Sequence, residues 1–344
     1  MTPSDDQRRP TIRDVAQHAG VSKSLAAMVF QGSPRVSEER RERVLSSAQE
    51  LGYNLNWAAR SLKADPSRNS IVGLVIRDLR QPWASDLVDG ARPVFEAAGY
   101  KVLLSVLSSS DSSHRTDFTS LEVLRDIGVA GILAAGSVPD GDAFVSTVNS
   151  DYVVFAGWEP TGGRYDAVRS DDELGMSMVI DHLVGRGHKR IAHIGGHGGV
   201  VAAGRQLGYE NSMRSHGLAD RISVRSADFS AEAGYRAATD LLAVRKVHRP
   251  TALACVNDLA ALGAMRAADD LGIPVAVTGY DNIEIASLPR IGLTTVDPQS
   301  STMGARAADF LVQRLNGSDL DRRSEIIAPY LVVRSSSARQ DPAA

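Results

Sequence analysis

Apolar positions along the chain fall into two regimes. Between residues 11 and 51 they recur at helical spacing, as Ile12, Val15, Ala16 and Ala19, then Leu25, Ala26 and Val29, then Val44, Leu45, Ala48 and Leu51. That pattern predicts three short helices, each with one apolar face. From Ile71 onward, strand-length apolar runs alternate with amphipathic stretches. Runs at 71–76, 101–106, 131–134, 152–156, 190–194, 223–227, 251–256 and 275–279 interleave with helical patterns at 84–98, 115–127, 143–149, 174–187, 204–216, 231–244 and 259–271. Such alternation predicts two similar α/β lobes, each a parallel sheet wrapped by helices. The closing segments, 293–297, a helix over 300–315 and 329–334, are placed to cross back between the lobes as a hinge, leaving a cleft for a small ligand.

The first regime reads as a helix-turn-helix. Thr11 with Asp14 forms a capping box, Gly20 can end the first helix in the left-handed conformation, and Ser22 can cap the second. Lys23, Ser24, Ala27 and Met28 are left on the outer face of the second helix, free to meet a DNA groove. A third helix opens at Ser37 with Glu38 and Glu39 in its first turn. The competing reading is a small helical packing module with no nucleic-acid role. The segment 56–63 is a turn or two of helix, too short to be stable alone in water. Four parts are therefore expected: a DNA-binding domain at 1–55, a hinge helix and linker at 56–70, a two-lobed effector-binding and dimerisation core at 71–334, and a disordered tail at 335–344.

Composition and charge narrow the function. The net charge of −3 conceals an asymmetry: residues 1–68 hold 11 Lys and Arg against 8 Asp and Glu, and the remainder 27 against 33. A modestly basic head suits contacts with phosphates at chosen points rather than a nonspecific coat. Cys255 is the single cysteine, set in an apolar run, so a reducing cytoplasmic location and a buried strand position are expected. No export signal or membrane span is read. His188, His193 and His197 lack metal-ligand spacing, and Gly195-Gly-His-Gly-Gly199 fits neither a P-loop nor a dinucleotide fingerprint. With no nucleophile elbow or zinc-protease motif, neither an enzyme nor a resident cofactor is expected.

In combination, these segments resemble the lactose/galactose/purine-repressor (LacI/GalR) family of transcription regulators. The resemblance rests on Thr11-Ile-Arg-Asp-Val-Ala with Ala19-Gly-Val-Ser22, Leu51-Gly-Tyr53, Asn56 to Leu62, Gly187-His188-Lys-Arg-Ile, Asn257-Asp258-Leu, Gly279-Tyr-Asp281-Asn and Leu293-Thr-Thr-Val. It implies a helix-turn-helix head, a hinge helix, and a core of two doubly wound parallel-sheet lobes of the periplasmic-binding-protein type. It also implies a homodimer on a two-fold symmetric operator, most simply a repressor. By that resemblance Leu62 wedges into the minor groove, with Ala59 beneath it and Lys63 beside it, although a plain apolar contact between linker and core would also use a leucine. Thr11, Ser22, Tyr53 and Asn56 match positions that approach the DNA. The second helix departs from the family pattern Val-Ser-x-x-Thr-Val-Ser-Arg: two hydroxyls and the arginine are gone, and base reading falls to Lys23 and Ser24, with Met28 against a thymine methyl.

The same resemblance places six residues at an effector cleft. Trp83 would cover the apolar face of a sugar or base, unless it is a core tryptophan, and Arg205 would clamp hydroxyls or a carboxylate. Asp281 would face Arg205 across the cleft, in the manner that suits vicinal diols; an interlobe salt bridge is the alternative. Asp171, Phe229 and Asn257 match further cleft positions, and Trp158 is left open between lining and packing. The expected effector is a sugar or sugar derivative. A sugar-capturing solute-binding protein without regulatory role is the alternative for the core alone.

Overall fold

In a computed structural model of the chain, residues 12–30, 33, 35–51, 70–109, 116–117, 119–138, 141–148, 150, 152–196, 199–318 and 321–338 are described. They belong to two compact units divided between Arg68 and Asn69. In the first unit Ile12–His18, Lys23–Phe30 and Glu38–Glu50 are helices. Gly20 ends the first at φ 64°, and the Ser22 hydroxyl accepts from the amide of Leu25 at 3.2 Å, capping the second. Val15, Ala16, Ala19, Ala26, Val29, Phe30, Val36, Val44 and Ala48 close a small core. Leu45 departs from the expected pattern and is 46% exposed. The inward face of the third helix runs through Val44, Ala48 and Leu51, and a step of one residue turns Leu45 away from it.

The second unit holds two six-stranded sheets. In the first, the order is 324–327, 166–170, 153–156, 132–135, 71–76, 101–106, all parallel. The second runs 330–332, 294–297, 276–280, 252–255, 191–196, 223–227, with only the 330–332 edge antiparallel. Each sheet starts on an inner strand, adds the next on one side and then continues on the other. The switch points lie between 71–76 and 132–135 and between 191–196 and 252–255, and in open α/β sheets ligands gather beyond the carboxyl ends of strands at such points. The chain passes between the sheets at 170–172, 297–300 and 327–330.

Close helix packing holds each lobe. Trp83–Ala97 crosses Ser300–Leu315 where Gly90 meets the backbone of Ser301 and Gly304 meets that of Leu87; a Cβ at either glycine would overlap a carbonyl. The strands 166–170 and 324–327 carry no clear apolar alternation, and an ion network brings them together. Asp166 is fully buried and accepts from Nε and Nη2 of Arg314 at 2.8 and 2.9 Å and from the amide of Arg323 at 2.8 Å. Burial alone would raise its pKa, but these hydrogen bonds outweigh it and hold the carboxyl below its usual range. Residues 335–338 correct the expectation of a disordered tail. They form a turn of 3-10 helix in which the Ser336 hydroxyl donates to the carbonyl of Val277 at 2.6 Å and accepts from the amide of Thr294 at 2.8 Å. The short hydroxyl side chains satisfy buried backbone groups at the start of two adjacent inner strands, which a composition-based reading of this polar segment misses. Cys255 is buried on the strand Ala252–Cys255, and burial pushes its thiol pKa up.

Replacing Arg314 with Met should leave Asp166 charged, buried and short of its bidentate partner. The expected loss is about 3–5 kcal/mol, read as a lower urea midpoint of the core transition; an unchanged midpoint would remove this pair from the account of lobe stability.

Candidate functional site

On the head, Lys23 and Ser24 are exposed at the start of the second helix, and Ser22 is exposed with its hydroxyl engaged in the cap. Met28 corrects its expected placement on the outer face: it is half-buried and packs against the head core. It lies one step from Val29 on the helix, and its long thioether reaches back to the apolar side. Arg35, Arg40 and Arg43 are exposed, while Arg41 donates to the carbonyl of Ser33 at 2.8 Å. Thr11, Tyr53, Asn56, Ala59, Leu62 and Lys63 lie outside the described residues.

In the core, the switch points of the two sheets meet through side chains. Asn257 follows the strand 252–255, caps the helix Asp258–Asp270 by accepting from the amide of Ala260 at 2.9 Å, and donates through Nδ2 to the carbonyl of Phe229 at 3.1 Å and to Oε1 of Gln81 at 3.4 Å. Gln81 belongs to the first lobe, so this last bond spans the cleft. Phe229 is half-buried with its ring against Gly196.

Arg205, on the helix Val200–Ser215, is 6% exposed. Its Nε donates to Asp172 at 2.9 Å, its Nη1 to the carbonyl of Val256 at 2.6 Å and to Asp281 at 3.3 Å, and its guanidinium lies 3.6 Å above the Tyr280 ring. The Nη2 group has no hydrogen-bond partner among the described residues. Arg205 and Asp281 therefore do not face each other across the cleft as expected. Both belong to the second lobe, because the helix 200–215 and the strand 276–280 pack on one sheet, and they form an ion pair there. Burial raises the Asp281 pKa to about 7 against the pull of Arg205, while the neighbouring acids hold Arg205 charged. Asp281 also sits at φ 107°, followed by Asn282 at φ 50°; side chains other than glycine enter this region only when surroundings impose it.

Trp83, first residue of its helix, is half-buried and lies over Gly136 and Gly157, at the carboxyl ends of two first-lobe strands. Asp171 caps the helix Asp172–Gly185 by accepting from the amide of Leu174 at 3.0 Å. Together with Trp158, Asp172 and Gly204 it lines a cavity of about 660 Å³ between crossover and helix. Trp158 both lines this cavity and packs edge-on against Phe155 at 5.3 Å. Sequence reasoning did not single out Asp172, Tyr280 or Gln81, which hold Arg205 and Asn257 in place. Tyr280 stands inside the quoted Gly279-Tyr-Asp281 motif and was the readable signal. Of the histidines, His193 is buried, its Nδ1 donates to the Ala254 carbonyl at 2.8 Å, and burial lowers its pKa to about 4. Among the described residues no group of His, Cys, Asp or Glu is placed to hold a metal, and no helix is long and apolar enough to cross a membrane.

A head of this kind joined to two lobes of this topology defines a class of ligand-gated DNA-binding proteins, and sequence comparison agrees. Residues 11–56 match the profile of bacterial regulatory proteins of the lacI family, and residues 180–337 that of the periplasmic binding protein-like domain. The chain thus combines a lacI-family helix-turn-helix domain with a periplasmic-binding-protein-like domain. It is 28% identical over 334 residues to the HTH-type transcriptional repressor PurR of Photobacterium profundum, covering 95% of this chain and 98% of the relative. Among solved structures, it is similar to the lac repressor dimer bound to operator and the anti-inducer ONPF, with a TM-score of 0.77, 25% identity and coverage of 96% and 99%. It is also similar to the transcriptional regulator CelR in complex with cellobiose, with a TM-score of 0.68, 26% identity and coverage of 95% and 100%.

Beneath the cleft, Asp258 is fully buried and accepts from the Thr295 hydroxyl and from the amide of Ile283 at 2.9 Å. Burial, reinforced by Asp281, raises its pKa from 3.8 to about 8. The folded state then holds a proton that the unfolded chain has released between about pH 4 and pH 8, so this group's contribution to stability falls as pH rises through that window. Asp258→Asn should remove the decline, so that the variant's melting temperature gains on the wild type from pH 5 to pH 9. Parallel melting curves against pH would contradict a neutral, buried carboxyl.

Proposed function

We propose that the protein is an effector-responsive transcriptional repressor that binds, as a homodimer, a two-fold symmetric operator in the cytoplasm and is released or tightened by a small ligand in the interlobe cleft. One observation carries this reading: a lacI-family head with Lys23 and Ser24 exposed on its second helix is joined to a core in which Asn257 of the second lobe bonds Gln81 of the first, next to the buried Arg205–Asp281 pair. The head favours a regulator over a solute-binding protein, which needs only the core. Its relatives are repressors, a family without enzymatic activity. An Arg–Asp pair with a free Nη2, half-buried aromatic rings at Trp83 and Phe229, and the cellobiose complex of CelR support a sugar or sugar derivative as effector. Ligand closure of the lobes would be linked to the DNA-binding segment by a coupling of about 1–3 kcal/mol, or about 5 to 150-fold in operator affinity.

Operator selection from random DNA followed by fluorescence anisotropy tests the DNA half. Lys23→Ala should weaken selected and unselected DNA alike or relax the selected sequence, and Leu62→Ala should weaken the selected operator about tenfold or more with an unchanged melting temperature of the core. Absence of any selected sequence would sink the regulator reading.

For the ligand half, a thermal-shift panel of mono- and disaccharides, sugar phosphates, polyols and purines should yield a stabilising compound. Arg205→Ala should abolish that shift; a full shift in the variant would take Arg205 out of the site.

A further inference from the structure

Glycine is a poor helix former, yet Gly175 is the fourth residue of the helix Asp172–Gly185. We infer that Gly175 is a positioning residue for Arg205: it brings the helix backbone against the phenol of Tyr280 and so sets the surface on which the guanidinium lies. The inference rests on the proposed reading of Arg205 as an effector contact, and it places a determinant of effector affinity on a residue without a side chain.

A Cβ at position 175 would lie 2.8 and 2.9 Å from Cε2 and Cζ of Tyr280, and closer still to its hydroxyl oxygen, well inside van der Waals contact. Tyr280 is fully buried and packs with Met176, Val179 and Ile180 of the same helix. Its hydroxyl and that of Ser170 beside it are both buried without a regular hydrogen bond, so no polar anchor fixes the outer end of the ring. Packing fixes it, and Gly175 is the wall at that end. The Arg205 guanidinium lies 3.6 Å above the same ring, within range of cation–π attraction. Asp172, three residues before Gly175, accepts from Nε of Arg205 at 2.9 Å. One helical turn therefore holds Arg205 in two ways, by charge through Asp172 and by shape through Gly175. A side chain at 175 must displace either the ring, which carries the stacking surface with it, or the helix, which carries Asp172. Both routes end at Arg205. Other glycines nearby act differently. A Cβ at Gly208 would meet the backbone of Glu173, so that glycine serves helix-on-helix packing, and one at Gly185, on the same helix as Gly175, would meet nothing within 4 Å.

The test is the Nε–H resonance of Arg205 in the full-length protein labelled with 15N-arginine, identified by its loss in Arg205→Lys. Burial and the bond to Asp172 protect this proton from exchange, and the nearby aromatic ring shields it. Tyr280→Leu, which removes the ring, should move the resonance downfield. Gly175→Ala should also shift it, whereas Gly185→Ala should leave it in place. In Gly175→Ala/Tyr280→Phe the shorter ring makes room for the methyl group, and the resonance should return to its position in Tyr280→Phe alone. A purely structural role for Gly175 would change the melting temperature without this pattern. An unmoved resonance in Gly175→Ala or in Tyr280→Leu, or a double variant as displaced as Gly175→Ala, would overturn the inference. If Gly175→Ala does not fold, recovery of folding in the double variant supports the inference and continued failure to fold overturns it. No effector or operator is present in any arm, so the outcome is separate from the identity of the ligand and from the DNA-binding reading.

Discussion

The guanidinium of Arg205 is taken out of water at the carboxyl end of the second sheet, and the ligand-binding end of the core is arranged to make that tolerable. Burying an ion costs several kcal/mol unless charges and hydrogen bonds compensate it. Here the compensation comes from Asp172, the carbonyl of Val256, Asp281 and the face of Tyr280. These groups come from a crossover and the ends of two strands, and the guanidinium they surround comes from a helix. Moving any one of them exposes an imbalance in the others. The bond to Asp172 is the shorter, at 2.9 Å against 3.3 Å for Asp281, so a ligand competing for Arg205 would exchange with Asp281 first. That exchange would free Asp281, whose backbone is already held at φ 107°.

The hinge shares this tension. Gln299 at φ 59° sits on one crossover, and its Nε2 donates to the carbonyl of Ala328 on another at 2.7 Å. Asp281, Asn282 and Gln299, the described residues other than glycine with positive φ, all border a cavity of about 340 Å³ on the hinge side of the core. Strain of this kind gathers where an element has two arrangements close in energy.

The periodicity of apolar residues reveals the head helices and the two-lobed sheet plan, because both depend on local spacing and burial. It fails at 166–170 and 324–327, where pairing depends on Asp166 meeting Arg314 and Arg323 from far along the chain. It fails again at Ser336 and Ser337, polar by composition yet buried by backbone hydrogen bonds. At the candidate site, motifs single out Arg205, Asp281 and Asn257, which the fold brings close together. Their mutual geometry is not legible that way, since residues in one lobe and residues facing across a cleft share the same linear pattern. Met28 shows the opposite limit: its place on the helix suggests the outer face, and its flexible length takes it inward.

Cys255 lies buried in the central part of the second sheet, its thiol kept protonated by burial, and the chain has no other cysteine. A protein so built comes with a silent thiol background. Single cysteines introduced on the outer surfaces of the two lobes would take spectroscopic labels selectively without first removing the native one. The distance between lobes could then be followed in an otherwise unaltered molecule while effector and DNA are added in either order.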